Sequence, residues 1–201
     1  MNLVTLLKHE AVRRGLLTPD AVIDAPAAFY LVRDMRYQRA SDRQPETLIR
    51  EWRGTCSGKH YLLKALFAEL GLVSHLIACT TETRLDPATA HERLRPILER
   101  ASGRVVDVHN YLMVDLPEGE MVVDATWPLS TLKYGLPVNE HFVLGQSQVI
   151  ASPPVKVWIV PPGSDPQDFK DELLKENFTD EELDVREAFI LTLGDLMAGS
   201  E

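Results

Sequence analysis

The sequence predicts an α+β fold in which helices pack on an antiparallel β-sheet, and three observations predict it. A cysteine opens a helical periodicity directly after a glycine turn, in Arg53-Gly54-Thr55-Cys56-Ser57-Gly58-Lys59. Two extended apolar segments, 105–114 and 121–127, flank a turn-rich stretch and read as a β-hairpin. Helical spacing dominates the residues before the cysteine block, so helices lead into the sheet.

Length and composition set the frame. The 201 residues suffice for one sizeable domain with a real core and are marginal for two, so 1–201 reads as a single domain. With 45% hydrophobic and 25% charged residues the chain has an ordinary globular composition. A net charge of −9 argues against a nucleic-acid or anionic-membrane surface. No apolar run approaches the ~20 residues of a membrane span. The first ten residues lack a charged n-region and a small-residue cleavage site, so a signal peptide is not expected. The only two cysteines, Cys56 and Cys79, read as free thiols in a reducing cytoplasm.

Along the chain, residues 2–14 carry Leu3, Leu6, Leu7 and Ala11 on one helical stripe that ends at Gly15. A second helix is expected over 27–35 and a short third one over 46–52, with Ser41-Asp42-Arg43-Gln44-Pro45 as the loop between them. In the next helix Leu63, Phe67 and Leu70 recur at steps of four and three. Counting back seven from Leu63 lands on Cys56, which places the thiol on the buried side. Gly71 ends this helix, and 72–80 reads as a buried strand. Asp86-Pro87 marks a helix start, with Leu94, Ile97, Leu98 and Ala101 on its stripe and Gly103 as its stop. Residues 129–152 show little periodicity, 155–160 reads as a strand, and 161–201 as an acidic helical tail carrying the capping box Thr179-Asp180-Glu181-Glu182. That tail reads as a solvated face packed through Phe189 and Leu193, with partner binding as the lesser option.

The residues with chemical potential are Cys56, His109 and Asp124. A thiol at a helix start sits beside unpaired N–H groups that favour a negative charge, and the thiolate is the reacting species. His109 and Asp124 occupy the two arms of the hairpin, on one face. A turn centred between Leu116 and Pro117 sets them directly opposite. A turn centred on Glu118-Gly119 leaves them four residues out of register, roughly 13 Å at ~3.4 Å per residue.

Three blocks resemble the transglutaminase-like superfamily of papain-type thiol enzymes, in a small bacterial form. Gly54-Thr55-Cys56-Ser57-Gly58-Lys59 through Leu70-Gly71-Leu72 looks like its nucleophile block, His109-Asn110-Tyr111 like its His-x-aromatic block, and Asp124-Ala125-Thr126-Trp127 like its Asp-x-Thr block. Val32-Arg33-Asp34-Met35-Arg36-Tyr37 is similar to the segment preceding the nucleophile. Tyr111 departs from the family, which more often has Trp there. The likeness covers about residues 27–128. It implies a papain/transglutaminase-like core and acyl transfer or amide hydrolysis through a thioester on Cys56. His109 would be general base and acid, and Asp124 would orient the imidazole. Substrates would be a peptide, a protein or a small acyl or amine compound, with no metal and no organic cofactor.

Competing readings attach to several residues. Trp52 and Trp127 line a cleft or simply pack the core, and the backbone N–H of Cys56 is an oxyanion donor. His60 reads as a partly exposed helix residue and Cys79 as an inert core thiol. His75 with Cys79 lacks the further ligands of a zinc site. An arylamine N-acetyltransferase-like enzyme uses the same triad, but its nucleophile block is typically Arg-Gly-Gly-x-Cys, one residue longer than Arg53-Gly54-Thr55-Cys56. The reading from another class is a non-catalytic module that keeps the scaffold and binds a peptide or partner through 129–152 or the terminal helix.

Overall fold

The helices begin where short polar side chains can close their first turns. In the computed structural model, which describes residues 1–199, Asn2 accepts the Thr5 N–H at 2.9 Å and opens α1 (Leu3–Arg13). Asp24 does the same for Ala27 at 2.9 Å and opens α2 (Ala25–Arg33), with Pro26 in its first turn. The short helix α3 (Pro45–Glu51) ends on Trp52 in the left-handed region, and α4 (Cys56–Glu69) follows at once. Strands β1 (Ser74–Arg84), β2 (Arg104–Leu116), β3 (Gly119–Val123) and β4 (Pro154–Ile159) form one antiparallel sheet in the order β3-β2-β1-β4. Helix α5 (Arg95–Arg100) sits between β1 and β2, a 3-10 helix (Leu129–Tyr134) follows β3, and α6 (Pro166–Asn177) and α7 (Asp180–Ala198) follow β4. The fold class is α+β, as the sequence predicts.

Two details differ from the sequence reading. The helix expected from Asp86 begins only at Arg95, after a series of turns. Pro96 is the reason, because its ring collides with the carbonyl four residues back and its nitrogen donates no bond. The stretch read as a helical tail does hold helices, and the first of them, α6, is capped by Asp165 with Pro166 at its first position. The second difference is that the hairpin adopts neither of the two registers considered. Leu112 faces Val123 and Leu116 faces Gly119, so the loop is Pro117-Glu118 and the ladder stops one residue short of Asp124. Asp124 therefore lies just past the end of β3.

The chain divides into two compact units. The first joins Met1–Leu76 to Tyr111–Ala151. Its core is a helical cluster in which α4 packs on α1, α2 and α3 through Leu62, Leu63, Leu66 and Phe67, all at zero exposure. The carboxylate of Glu69, at the end of α4, accepts the N–H groups of Leu3 and Val4 at 2.8 Å each and ties down the start of α1. Leu48 of α3 lies so close to the first turn of α4 that a Cβ on Gly54 or Gly58 would sit 2.9 or 2.8 Å from its Cδ2. The two glycines flanking the cysteine thus serve helix–helix approach.

The second unit joins Ile77–Asn110 to the chain from Ser152 onward. Here β1 pairs with β4, Cys79 facing Val157 and Ile77 facing Ile159. Leu94, Leu98 and Val105 form a small core with Phe189, Leu193 and Leu196 of α7. An ionic group adds to it. Arg186 of α7 donates to Asp107 of β2 at 2.6 Å, Lys170 of α6 lies 3.6 Å from the same oxygen, and Arg104 pairs with Glu82 and Glu182. Burial alone would raise the Asp107 carboxyl, but Lys170 and Arg186, helped by His109, hold it below its ordinary 3.8. The acidic helices are consequently a packed layer of this unit. No helix among the described residues is long and apolar enough to cross a membrane.

Two outcomes follow from these contacts. Gly103→Ala places a Cβ 2.3 Å from the Leu85 carbonyl oxygen at φ +76°, and should lower stability by about 2–3 kcal/mol. A urea midpoint that falls with an unchanged slope would report it. Asp107→Asn should lower the melting temperature near neutral pH. Because the folded carboxyl lies below 3.8, the stability it supplies is present above that value and is lost as pH falls through the lower folded value. Wild-type and Asp107→Asn melting temperatures should therefore converge in acid and separate above it.

Candidate active site

Cys56 is the first residue of the 14-residue helix α4 and is 4% exposed. Thr55 stands at the N-cap in extended conformation without using its side chain on the helix, so the positive end of the helix is not shielded by a hydroxyl. The turn before it is set by backbone bonds. Gly54 N–H donates to the Arg36 carbonyl at 3.0 Å, and Arg36 N–H to the Trp52 carbonyl at 3.2 Å. The segment around Arg33 to Tyr37 is thereby the platform on which the cysteine turn rests. Cys56 and Cys79 are both free thiols, and both are buried.

The helix then takes two polar residues fully into the core. The sequence reading makes His60 partly exposed, yet it is at zero exposure. Its Nδ1 lies 2.7 Å from the Cys56 carbonyl oxygen, and the Ala125 N–H donates to Nε2 at 2.9 Å. A carbonyl only accepts and an amide N–H only donates, so the ring is the neutral tautomer with its proton on Nδ1. At 3.6 Å its Nε2 is too far from Asp124 Oδ1 for a hydrogen bond. His60 is a brace between the cysteine turn and the Asp124 segment, and both ring nitrogens are engaged.

Lys59 is buried to the same degree. Its Nζ donates to the carbonyls of Arg33 at 2.7 Å and Thr126 at 3.1 Å. Burial pushes this ammonium down to about 7 and Arg33 adds to the effect, while Asp34, Asp124 and Cys56 oppose it.

Asp124 is 2% exposed and held from several sides. Thr126 N–H donates to Oδ1 at 3.0 Å and Ala151 N–H to Oδ2 at 2.8 Å. Its own N–H donates to Gln148 Oε1 at 2.9 Å, and its carbonyl accepts from Asn139 Nδ2 at 2.9 Å. Hydrogen bonds to a buried carboxylate favour its ionised form, so these amides hold a charge in place. Asn139 also exchanges bonds with Val149 at 2.8 and 3.0 Å, which closes the loop between them. The Arg33 guanidinium braces that loop by donating to the carbonyls of Asn139 and Glu140, and it pairs with Asp34 at 2.7 Å. Phe142 plugs the loop into the helical core, its ring 5.0 Å from that of Phe29.

Within the first unit His60 thus links the Cys56 carbonyl to the Ala125 N–H, next in the chain to Asp124. His109 belongs to the second unit, where it is 4% exposed on β2, two residues along the strand from Asp107 and on the same face. Trp127 stacks on Tyr37 with ring centroids 4.5 Å apart, and its buried Nε1 has no hydrogen-bond partner among the described residues, nor has Thr126 Oγ1. Unpaired buried donors of this kind are uncommon and costly, about 1–3 kcal/mol each. Among the described residues no group of three His, Cys, Asp or Glu side chains is arranged to hold a metal ion.

Sequence reasoning sets His60 aside as partly exposed and passes over Lys59, Asn139 and Gln148. Lys59 and His60 stand inside the motif and are polar, which argues for exposure; Asn139 and Gln148 sit in a segment without periodicity. Scans against protein-family models and searches of curated proteins and of solved structures gave no match.

Asn139→Ala removes the donor to the Asp124 carbonyl and both bonds to Val149. It should cost about 1–3 kcal/mol and should speed limited proteolysis between residues 136 and 150 at least tenfold.

Proposed function

We propose that this chain is a thiol-dependent acyl-transfer or amide-hydrolysing enzyme of transglutaminase-like type, with Cys56 as nucleophile, His109 as general base and acid, and Asp124 as the residue that orients the imidazole. The observation that carries the reading is the placement of Cys56 at the first position of α4, buried and beside the uncapped positive end of the helix. The amide-held Asp124 carboxylate in the same unit supports it, since a fixed buried carboxylate suits an imidazolium partner.

In the reaction His109 takes the Cys56 proton and the thiolate attacks the carbonyl carbon of an amide. The negative oxygen that develops is met by the Cys56 backbone N–H, and the Trp127 indole N–H is the second donor offered. Collapse expels the amine with the proton from His109 and leaves a thioester on Cys56. A second amine or a water then attacks the thioester, returns its proton through His109 to the sulfur, and releases the product. Bonds and protons balance without a further reactant. The acyl donor would be the side-chain or terminal amide of a peptide or protein, or a small acyl compound.

Alkylation by limiting iodoacetamide between pH 5 and 9, read separately at Cys56 and Cys79 by peptide mass, tests the assignment. Cys56 should react well below the ~8.5 of an ordinary thiol, and His109→Ala should move that midpoint up by at least one pH unit. Incubation with a panel of peptide amides should leave a hydroxylamine-sensitive acyl adduct on Cys56, absent in Cys56→Ala. A Cys56 that reacts no faster than Cys79, or that ignores His109→Ala, would sink the proposal.

A further inference from the structure

The first turn of α4 contains a buried amine whose partners are both uncharged. Lys59 is at zero exposure, one turn beyond Cys56, and donates to the carbonyls of Arg33 and Thr126. Arg33 is the last residue of α2, so its carbonyl carries the negative end of that helix and suits a cation. A leucine or methionine would fill the same space without desolvating a charge, and replacing buried charges by such residues is often neutral or stabilising. The amine therefore calls for a use other than packing.

The charges facing it supply one. Asp34 and Arg33 sit at the end of α2, but they pair with each other at 2.7 Å and largely cancel. His60, the neighbour on its own helix, is held neutral by its two hydrogen bonds. The remaining groups beside Lys59 are Asp124, whose Oδ1 accepts the N–H of the same Thr126 whose carbonyl Lys59 holds, and Cys56, one turn back on α4; a negative charge on either favours the ammonium.

We infer that Lys59 is a positioning residue whose ammonium acts as the buried counter-charge of Cys56 and Asp124, joining the cysteine turn to the Asp124 segment and favouring the ionised forms of both groups. The inference rests on the acyl-transfer reading in taking the Cys56 thiolate as the useful species. Burial weakens the hold of Lys59 on its proton, so the charge depends on its anionic neighbours. Ionising Cys56 keeps Lys59 protonated, and a protonated Lys59 keeps Cys56 ionised.

The test compares the pH midpoint of Cys56 alkylation in wild type, Lys59→Gln and Lys59→Met, with melting temperatures measured alongside. Gln keeps a donor for the carbonyls and drops the charge; Met drops both. Both variants should raise the midpoint by about one pH unit, a roughly tenfold slower reaction at a fixed pH below it. If Met lowers the melting temperature, Gln restores it and neither moves the midpoint, Lys59 is structural alone and the inference fails. Should the substituted proteins not fold, the Lys59 13Cε shift titrated by NMR in wild type and Cys56→Ala decides it. Its midpoint should fall when the thiol is removed, and no change overturns the inference. A midpoint that responds to Lys59 but not to His109 removes the acyl-transfer reading alone; the reverse pattern removes the counter-charge alone.

Discussion

A buried amine and a buried imidazole, side by side in the first turn of α4, must each find partners, and the first unit is arranged around that requirement. Lys59 and His60 have no access to water. Leaving either without a partner would cost more than any single apolar contact returns. Their acceptors and donor are backbone groups of Arg33, Cys56, Thr126 and Ala125. Three separate stretches of chain, the end of α2, the start of α4 and the residues after β3, are thereby fixed to one another within ångströms. The same bonds set where the Cys56 sulfur and the Asp124 carboxylate stand, because each lies within two residues of a braced backbone group.

Asp124 extends the argument into the irregular part of the chain. A carboxylate with 2% exposure needs donors, and the amides of Thr126 and Ala151 donate to its oxygens. Ala151 lies at the far end of a stretch with almost no regular structure. That stretch is held by side chains instead of by a backbone ladder: Asn139 against Val149 and Asp124, Gln148 against Asp124, Arg33 against Asn139 and Glu140, and Phe142 against Phe29. Burying Phe142 contributes roughly 2–3 kcal/mol toward ordering the loop. The segment is a holder for the carboxylate, and its lack of periodicity reflects that task.

The second unit uses a different device. Its helices α6 and α7 are amphipathic and acidic, and a free acidic helix would be expected to remain in water. Lys170 and Arg186 carry positive charge from these helices to Asp107 on β2, and Phe189, Leu193 and Leu196 fill the space above Leu98. Ion pairs of this kind contribute little at an exposed surface and more when, like Lys170, one partner is buried. The charge pattern that suggests a solvated tail in the sequence is therefore partly an internal one.

The sequence by itself determined the elements whose information is local. Caps at Asn2, Asp24 and Thr179, the Pro and Gly boundaries, the helix that Cys56 opens, the strands flanking Pro117-Glu118 and the α+β class all follow from residues within a few positions of one another. Pro96 and the Asp165-Pro166 start were equally local signals that a periodicity count overlooks. Tertiary structure alone decided the hairpin register, since a one- or two-residue shift changes no composition and is set by packing on both faces. It also decided that Lys59 and His60 lie inside, that Gly54 and Gly58 make room for Leu48, and that Asn139 and Gln148 hold Asp124. Those facts depend on partners as far as 67 residues away, and no spacing along one chain records which distant carbonyl a buried donor will meet.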